Sequence, residues 1–576
     1  MNRMTVSPAL PNSSPAVSAG YSDPGSKRSN HQVRSKRRFW YLRWAPMIAG
    51  SVFCLHQAFA TTIMPADAAR FLRQSTFGAT LSEIAKVQQV GFSAYLDTQF
   101  HLPVTQYPLL AAVDPNSNVG CPTGAAVTCY RDNYSAFPVE NAFFRNALNA
   151  PDQLRQHVAF ALGQIFVISN VTVHGSYAIR EYQQMLANNA FGNFRTLLQE
   201  VTLSPAMGDY LSMVNNDKAN TAKGTAPNEN YAREVMQLFT IGLEQLNLDG
   251  SVKLDASGKP IPTYDQDTIE EFSRVYTGWT YPTAPGNTPK PHNPPYYVGD
   301  MIPVAANHDS SSKVLLNGVI APAGLPPTAD LDYALNFIFN HPNVGPMFSK
   351  AMIQFLVTSN PSPGYIARVA TVFNNDGTGV RGNMTAVIRA VLLDPEARAP
   401  SLPNAGQLRE PALFVAGVTR ALGGSSDGVF LNQASKLEGQ QVFNAPTVFN
   451  FYPPDYPLPD STNGLVAPQF GIENTATALA RWNFLNAILY GTIKPDPSVT
   501  GATGTSIDLS PWLPLSSNVP ALIDSLDTLL SGASLDSASR AKIQQAVEAL
   551  PATDALAGVR SAAFLIAAAP QTLIQR

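Results

Sequence analysis

Frequent helix-breaking residues are the feature that most limits what this chain can fold into. The 576 residues include 47 prolines and 38 glycines, which impose many turns and long irregular connections. That frequency argues against a continuous coiled coil or a simple helix bundle. Because 45% of the residues are apolar and only 14% are charged, the chain can still bury a large core.

Between the breaks, apolar residues recur at helical spacing. The clearest example is the buried stripe Leu154, Val158, Leu162 and Ile165. Further helices are predicted over 178–190, 192–202, 229–241, 267–277, 330–340, 344–357, 364–374, 384–393, 408–422, 518–531, 537–549 and 556–574. Strand signals are few, and the turns within 246–264 predict one or two small β-hairpins. The predicted fold class is therefore mainly α: a single large multi-helix domain over 61–576, with long Pro/Gly/Asn-rich loops.

Residues 1–60 are predicted to be a disordered basic segment followed by an export signal. Basic residues around Lys36 precede a short apolar run, and Ala58-Phe59-Ala60 supplies the small residues that a signal peptidase recognises. The run is shorter than the roughly 20 residues that cross a bilayer. We therefore predict a periplasmic or secreted protein, cleaved near Ala60 and without a transmembrane segment. Lys36 replaces the first arginine of a twin-arginine signal, so the general secretory and twin-arginine routes both stay open.

The charge of the chain is distributed unevenly. Residues 1–60 hold eight Lys or Arg and one acid, which leaves 30 basic and 40 acidic residues in the remainder. A body with this net negative charge is a poor partner for phosphate backbones or anionic lipid. The sequence thus argues against nucleic-acid binding.

Cysteine usage agrees with export. Beyond the predicted signal the chain has two cysteines, Cys121 and Cys129, separated by seven residues. In an oxidising compartment such a pair is expected to form a disulfide that closes a small loop. A redox pair would normally have two residues between the thiols, and zinc would need further ligands.

Several sequence blocks resemble the bacterial "domain of unknown function 1800" family. They follow the family's order over roughly 500 residues. The blocks are Ala69-Arg70-Phe71-Leu72-Arg73-Gln74-Ser75-Thr76-Phe77-Gly78, Asn228-Glu229-Asn230-Tyr231-Ala232-Arg233-Glu234, Thr277-Gly278-Trp279-Thr280, His308-Asp309 with Lys313, and Arg409-Glu410-Pro411-Ala412. The resemblance implies export and a co-exported protein partner, but it implies no agreed activity. One departure is Asn450-Phe451-Tyr452-Pro453, where the family usually has Gly-Trp-Pro.

The predicted helix that starts at Asn228 carries the first candidate site residues. Asn228 suits an N-cap, and Glu229 in the first turn suits the positive helix end. Glu229 and Arg233 are spaced i, i+4, and Glu234 adds a second carboxylate. This pattern has two interpretations: capping with surface ion pairs, or a carboxylate pair with an arginine for acid–base work or a divalent ion.

The loop residues His308, Asp309 and Lys313 are the second candidate set. A loop histidine beside an aspartate and near a lysine can bind metal, shuttle a proton or cap the next strand. Together with Glu234, His308 and Asp309 are the candidate ligands of a divalent cation, whose identity the sequence leaves unknown. His157, within a helix, is interpreted as a buried structural histidine.

Two functional hypotheses follow. In the first, Glu229, Arg233, Glu234, His308, Asp309 and Lys313 converge in the cleft of an exported hydrolase, with or without a metal. In the second, the protein is a non-catalytic envelope or extracellular protein that binds or assembles with a co-exported partner. A meeting of Glu234 with His308 would favour the first hypothesis.

Overall fold

Helices dominate the computed structural model, which describes residues 62–399 and 405–576. Many begin where the sequence favours a helix start. Thr80, Asn193 and Asp265 each accept a hydrogen bond from a first-turn backbone N–H, and other helices have a proline in the first turn. The mainly α fold class is confirmed. The predicted signal over 1–60 lies outside the described residues.

The helices up to residue 275 include those that carry the first candidate residues. They are α1 (Pro65–Ser75), α2 (Leu81–Val90), α3 (Phe92–His101), α4 (Ser117–Gly120), α5 (Cys129–Tyr134), α6 (Phe137–Asn149), α7 (Gln153–Ile165), α8 (Ser176–Asn189), α9 (Phe194–Leu203), α10 (Pro205–Tyr210), α11 (Asn230–Gln237) and α12 (Gln266–Val275). Helix α11, which carries candidate site residues, ends four residues before the end of the predicted helix 229–241.

The remaining helices build the rest of the body. They are α13 (Pro327–Phe339), α14 (Val344–Leu356), α15 (Pro363–Asn374), α16 (Met384–Leu393), α17 (Pro395–Arg398), α18 (Pro411–Ala421), α19 (Val429–Leu437), α20 (Thr475–Tyr490), α21 (Val519–Ser531), α22 (Ser537–Glu548), α23 (Ala555–Ala567) and α24 (Pro570–Leu573). Pro570 separates α23 from α24, so the predicted helix 556–574 is broken there.

Strands are very short and pair in antiparallel twos. They are β1 (Trp279–Thr280) with β2 (Ile302–Pro303), β3 (Lys313–Val314) with β4 (Ile320–Ala321), β5 (Gln407–Leu408) with β8 (Ile574–Gln575), and β6 (Ser425–Ser426) with β7 (Thr505–Ser506). The predicted hairpins within 246–264 are single antiparallel bridges, such as Leu246 with Val252 and Leu254 with Pro260.

The described residues, 62–399 and 405–576, form one compact unit around a shared apolar core. Helix α1 packs against α21, and α14, α15 and α16 pack on one another. Helix α12 lies between α11 and α13 and also contacts β3, so it touches both candidate segments. Within the described residues, no helix is both long and apolar enough to cross a membrane.

The disulfide prediction is confirmed. Cys121 and Cys129 are bridged, with their Cα atoms 5.9 Å apart. The bridge closes a loop in the irregular, largely exposed segment that precedes α6. Chain-entropy arguments give so short a loop a stabilisation of about 2–3 kcal/mol at most.

Candidate functional site

The approach to α11 is fixed by amide side chains. Asn228 N donates to Asn216 Oδ1 at 2.8 Å, and Asn216 Nδ2 donates back to the Asn228 carbonyl at 3.3 Å. The side chain of Asn228 accepts from Asn230 N at 2.9 Å. The helix therefore begins at Asn230, one residue later than predicted, and Asn228 closes the turn before it.

Glu229 and Arg233 form the predicted i, i+4 ion pair. Their oxygen and nitrogen are 2.9 Å apart, and both side chains are about one-third exposed. Gln266, in the first turn of α12, donates to Glu229 at 2.9 Å and accepts from Arg233 at 3.3 Å. This trio ties α11 to α12 at the surface, where such pairs contribute little to stability.

Glu234 has a different environment on the same helix. The residue is only 9% exposed, and its Oε2 is buried without a hydrogen-bond partner. Burial raises the pKa of the Glu234 carboxyl, and the charge of Arg233 opposes that rise only in part. A carboxyl held in this way keeps its proton to a higher pH than a solvated glutamate does.

Two tyrosines share this environment. Burial, with a contribution from the charge of Glu234, raises the pKa of Tyr210 to about 12. Tyr264 also has a pKa of about 12, raised by burial and by Glu234 and lowered by Arg233. The Tyr264 hydroxyl is buried without a partner, like the Glu234 oxygen. Unsatisfied buried polar atoms are uncommon in native proteins and call for an explanation, such as an exchangeable water or a ligand.

Tyr264 connects this environment to an open groove of about 730 Å³. The groove is lined by most of the residues in 262–271 and by residues 314–318 of the β3–β4 turn. Its acidic lining residues are Asp265, Asp267, Glu270 and Glu271. Asp265 caps α12 by accepting from Thr268 N at 2.9 Å, and Glu271 accepts from Val314 N at 2.8 Å, so both also shape the groove.

His308 and Lys313 lie in the interior, on either side of Asp330 from α13. His308 Nε2 is 3.2 Å and Lys313 Nζ 2.6 Å from Asp330 Oδ2, with at most 1% of each side chain exposed. Lys313 and Asp330 form a buried ion pair, and His308 lies in close contact with the same carboxylate oxygen. Lys313 also donates to the Asp309 carbonyl at 2.6 Å. These contacts hold the 308–313 loop against α13.

The other side of His308 packs against the end of α12. Its Nδ1 lies 2.9 Å from the carbonyl oxygen of Thr277. Gly278 follows with a φ of 78°, and a Cβ atom there would lie 2.8 Å from the backbone nitrogen of His308. Only glycine allows this approach, which explains the glycine of the Thr277-Gly278-Trp279 block.

Asp309 is engaged by Arg274 in the last turn of α12. Arg274 Nε donates to Asp309 Oδ2 at 2.9 Å. Burial alone would raise the pKa of Asp309, but hydrogen bonds from Arg274 and Ser311 outweigh it and hold the pKa well below its usual range. Asp309 is therefore an ionised anchor for the loop.

The structure brings each candidate set together but does not join the two. Gln266 contacts the first set and Arg274 the second, and these residues are separated by about 12 Å of helix rise. In the described ranges, no hydrogen bond or ion pair connects Glu234 with His308. Nor do any three His, Cys, Asp or Glu side chains there form a group that could hold a metal, so the proposed ligands Glu234, His308 and Asp309 have no shared geometry.

Sequence reasoning missed the residues that complete both environments. Asp330 was expected only as the start of a helix, and Tyr264 only as the end of a hairpin segment. Asp330 contacts His308 across 22 residues, and Tyr264 is affected by the charge of Glu234 across 30 residues. Helical periodicity does not encode such pairings. Tyr210 offered no signal beyond its place in a polar stretch of sequence.

A second buried polar cluster surrounds Glu410. Gln164 donates to one carboxylate oxygen at 3.0 Å, while Tyr452, at 2.8 Å, and Gln440 donate to the other. Asn450 donates to Gln164 at 2.9 Å and has a φ of 65°. Two residues of the segment that differs from the family pattern, Asn450-Phe451-Tyr452-Pro453, thus have a structural function in this chain.

His157 is buried, as interpreted from the sequence. Its ring lies 5.3 Å from the Phe77 ring, centroid to centroid. Burial and the nearby charge of Arg409 lower the pKa of His157 to about 4, so the ring is neutral at physiological pH.

These features describe a large helical protein with one closed polar cluster around Asp330 and one open acidic groove. Residues 70–573 match the model of a family described as "Protein of unknown function (DUF1800)". Because the match covers most of the chain, the protein belongs to the DUF1800 family. No curated protein and no solved structure matches the chain.

Proposed function

We propose that this protein is an exported hydrolase whose proton-transferring group is the Glu234 carboxyl. The supporting observation is that Glu234 has a buried, unpartnered oxygen and a raised pKa beside Tyr264, which lines the acidic groove. A general acid or base works best when its pKa lies close to the working pH. Glu234 is the one predicted site residue that combines such a shift with a neighbouring cleft.

The neighbouring groups suggest how the site would act. The carboxyl of Glu234 would transfer a proton to or from the reacting group or an attacking water. The Tyr264 hydroxyl, which stays protonated at neutral pH, would donate a hydrogen bond to oxygen that gains negative charge. The acidic lining favours neutral or cationic substrates over phosphorylated ones.

His308, Asp309 and Lys313 have a supporting function in this proposal. They hold the turn that forms the far wall of the groove, through Asp330 and Arg274. We propose no divalent cation at this site. His308 and Asp309 make these contacts at the end of α12 that is opposite to Gln266.

Export rests on the sequence of residues 1–60. The basic segment, the short apolar run and Ala58-Phe59-Ala60 follow the order of a signal peptide. The disulfide between Cys121 and Cys129 suits an oxidising compartment. Intact-mass analysis of protein recovered outside the cytoplasm should give a chain that begins at or near Thr61; a retained segment 1–60 would contradict export by cleavage.

A panel of ester, amide and glycoside substrates without phosphate tests the catalytic proposal. Glu234→Gln should lower kcat/KM about 10²- to 10⁴-fold, since it removes the transferable proton but preserves shape. Tyr264→Phe should lower it less. The matched control is Glu229→Gln, on the same helix but in an exposed ion pair, which should change kcat/KM less than about threefold.

The same panel can contradict the proposal. Undiminished turnover by Glu234→Gln, with an unchanged melting temperature, would remove Glu234 from the mechanism. No turnover of any substrate by the wild-type protein would favour the second candidate function, a binding protein for a co-exported partner.

One observation favours that second candidate. Helix α20 exposes Leu479 and Trp482, each at 53%, together with Tyr490, and Leu437 of α19 is exposed nearby. Exposed apolar side chains that are neighbours on a helix, as Leu479 and Trp482 are at i, i+3, are typical of protein contact surfaces. If a co-exported protein covers this face, its addition should shift the Trp482 fluorescence to shorter wavelength, and Leu479→Ser should weaken the complex.

A further inference from the structure

A separate cavity of about 480 Å³ lies near the C-terminal end of α20, far along the chain from Glu234. It is enclosed by the last turn of α20, the loop after it, the β6–β7 pair, the turn around Leu513 and helix α23. A volume of this size is within the range of small-molecule sites. At about 30 Å³ per water molecule, it has room for a ligand of roughly ten or more heavy atoms.

Arg560 is the one charged residue that lines this cavity. Its Nε is buried and has no hydrogen-bond partner. Among the described residues, Arg560 forms no ion pair. Its guanidinium carbon lies 6.0 Å from the centroid of the Tyr490 ring.

The other described arginines show how unusual this is. Each arginine from Arg70 to Arg540 in the described ranges donates at least one hydrogen bond to another residue, as Arg409 and Arg540 illustrate. A half-buried guanidinium normally satisfies its five N–H donors with carboxylate or carbonyl oxygen. At Arg560 the buried Nε donor has no acceptor among the described residues, so it is available to a ligand or a water.

The remaining walls divide into two kinds. The hydroxyl-bearing residues that line the cavity together with Arg560 are Ser425, Thr492, Thr503, Thr505, Ser506 and Ser510. The apolar wall is formed by Ile488, Leu489, Ile493, Ile507, Leu509, Leu513 and Leu556. A site with these walls suits a ligand that has one anionic, hydrogen-bonding end and an apolar body.

We propose that this cavity binds a small monocarboxylate with an apolar chain, whose carboxylate pairs with the Arg560 guanidinium. One guanidinium matches one carboxylate in charge and in planar, bidentate geometry. A doubly charged phosphate would require further cations, and none lines the cavity. The site is independent of the groove at Glu234.

Calorimetric titration of the mature protein with acetate, butyrate, hexanoate and octanoate tests this proposal. Affinity should rise with chain length up to the capacity of the cavity, because each buried CH₂ contributes about 0.8 kcal/mol, or roughly a fourfold change in Kd. Hexanol and hexylammonium should bind at least tenfold more weakly than hexanoate, since neither can pair with the guanidinium. Inorganic phosphate serves as the anion without an apolar body.

Three variants locate the site. Arg560→Gln should weaken hexanoate binding tenfold or more while changing the melting temperature little, because the arginine loses only its long contact with the Tyr490 ring. Leu556→Trp, one helical turn away, should fill the cavity and weaken binding with the arginine intact. Lys542→Gln is the matched control, since it removes one positive charge from the exposed face of the adjacent helix α22.

The outcomes are separable. Loss of hexanoate binding in Arg560→Gln and Leu556→Trp, but not in Lys542→Gln, supports the proposal. Unchanged binding in both cavity variants, or equal affinity for hexylammonium, overturns it. Phosphate binding as tight as hexanoate binding also overturns it, because the apolar wall would then have no function in recognition.

Discussion

Glu234 and Glu410 are buried carboxyls in two sequence blocks of this family, and their surroundings differ. Burial raises the pKa of both. Both oxygens of Glu410 accept hydrogen bonds, from Gln164 on one side and from Gln440 and Tyr452 on the other. Glu234 has an oxygen without any partner, next to a tyrosine that lines a groove. Glu410 therefore holds segments together, whereas the hydrogen-bonding capacity of Glu234 is not used within the described residues.

A third carboxyl shows that a missing partner alone does not make a site. Neither oxygen of Glu438 has a hydrogen-bond partner, and the nearest cation atom, Arg481 Nε, is 3.9 Å away, beyond hydrogen-bond distance. Glu438 is fully buried and lines none of the cavities described above. Glu234 does not line the acidic groove itself, but unlike Glu438 it shares its buried environment with Tyr264, which does.

The largest expected effect is on stability at Glu410. Glu410→Ala leaves the donors of Gln164, Gln440 and Tyr452 buried without an acceptor, and each such loss costs about 1–3 kcal/mol. We expect the free energy of unfolding to fall by about 5 kcal/mol in urea titrations. Glu548→Ala, which removes an exposed carboxylate from α22, should change it by less than about 0.5 kcal/mol. A loss at Glu410 no larger than that of the control would show that its network is not structural.

A smaller, pH-dependent effect is expected at Glu438. Burial raises the pKa of Glu438 to about 8, from 4.5. Its stabilising contribution is therefore fully present below pH 4.5 and is lost as pH rises through about 8. Glu438→Gln avoids the buried charge, so relative to pH 5 it should gain about 4 kcal/mol of stability over the wild type at pH 9. Equal stability curves from pH 5 to 9 would contradict the raised pKa.

Secondary structure was predictable for helices with a clear apolar stripe, such as α14 and α16, but α6 and α19 were not predicted. The predicted 384–393 and 344–357 agree with α16 and α14 because their apolar residues form a single stripe. Helix α20 was missed because its apolar residues, including the exposed Leu479 and Trp482, lie all around the helix and leave no stripe to detect. Tertiary contacts, rather than local pattern, determine such a helix.

The sequence predicted which residue types belong to the candidate site, but not which of them contact one another. The polarity and spacing of Glu229 and Arg233 gave their ion pair correctly, because i, i+4 contacts are local. The contact of His308 with Asp330 is non-local, and so is the electrostatic influence of Glu234 on Tyr264. A single sequence therefore identified the polar segments but could not tell a closed cluster from an accessible one.

The smallest stability effect is expected at Glu234, and its sign separates a functional carboxyl from a structural one. Because burial raises its pKa, Glu234 stabilises the folded state only while protonated, and this contribution is lost as pH rises above the unfolded value near 4.5. Glu234→Gln should therefore be neutral at pH 4 and stabilising by up to about 1 kcal/mol at pH 8, measured by urea unfolding at both values. If Glu234 had a structural role like that of Glu410, the same substitution would instead lower the free energy of unfolding at both pH values. Stabilisation combined with the loss of turnover would identify Glu234 as a group retained for chemistry at the expense of stability.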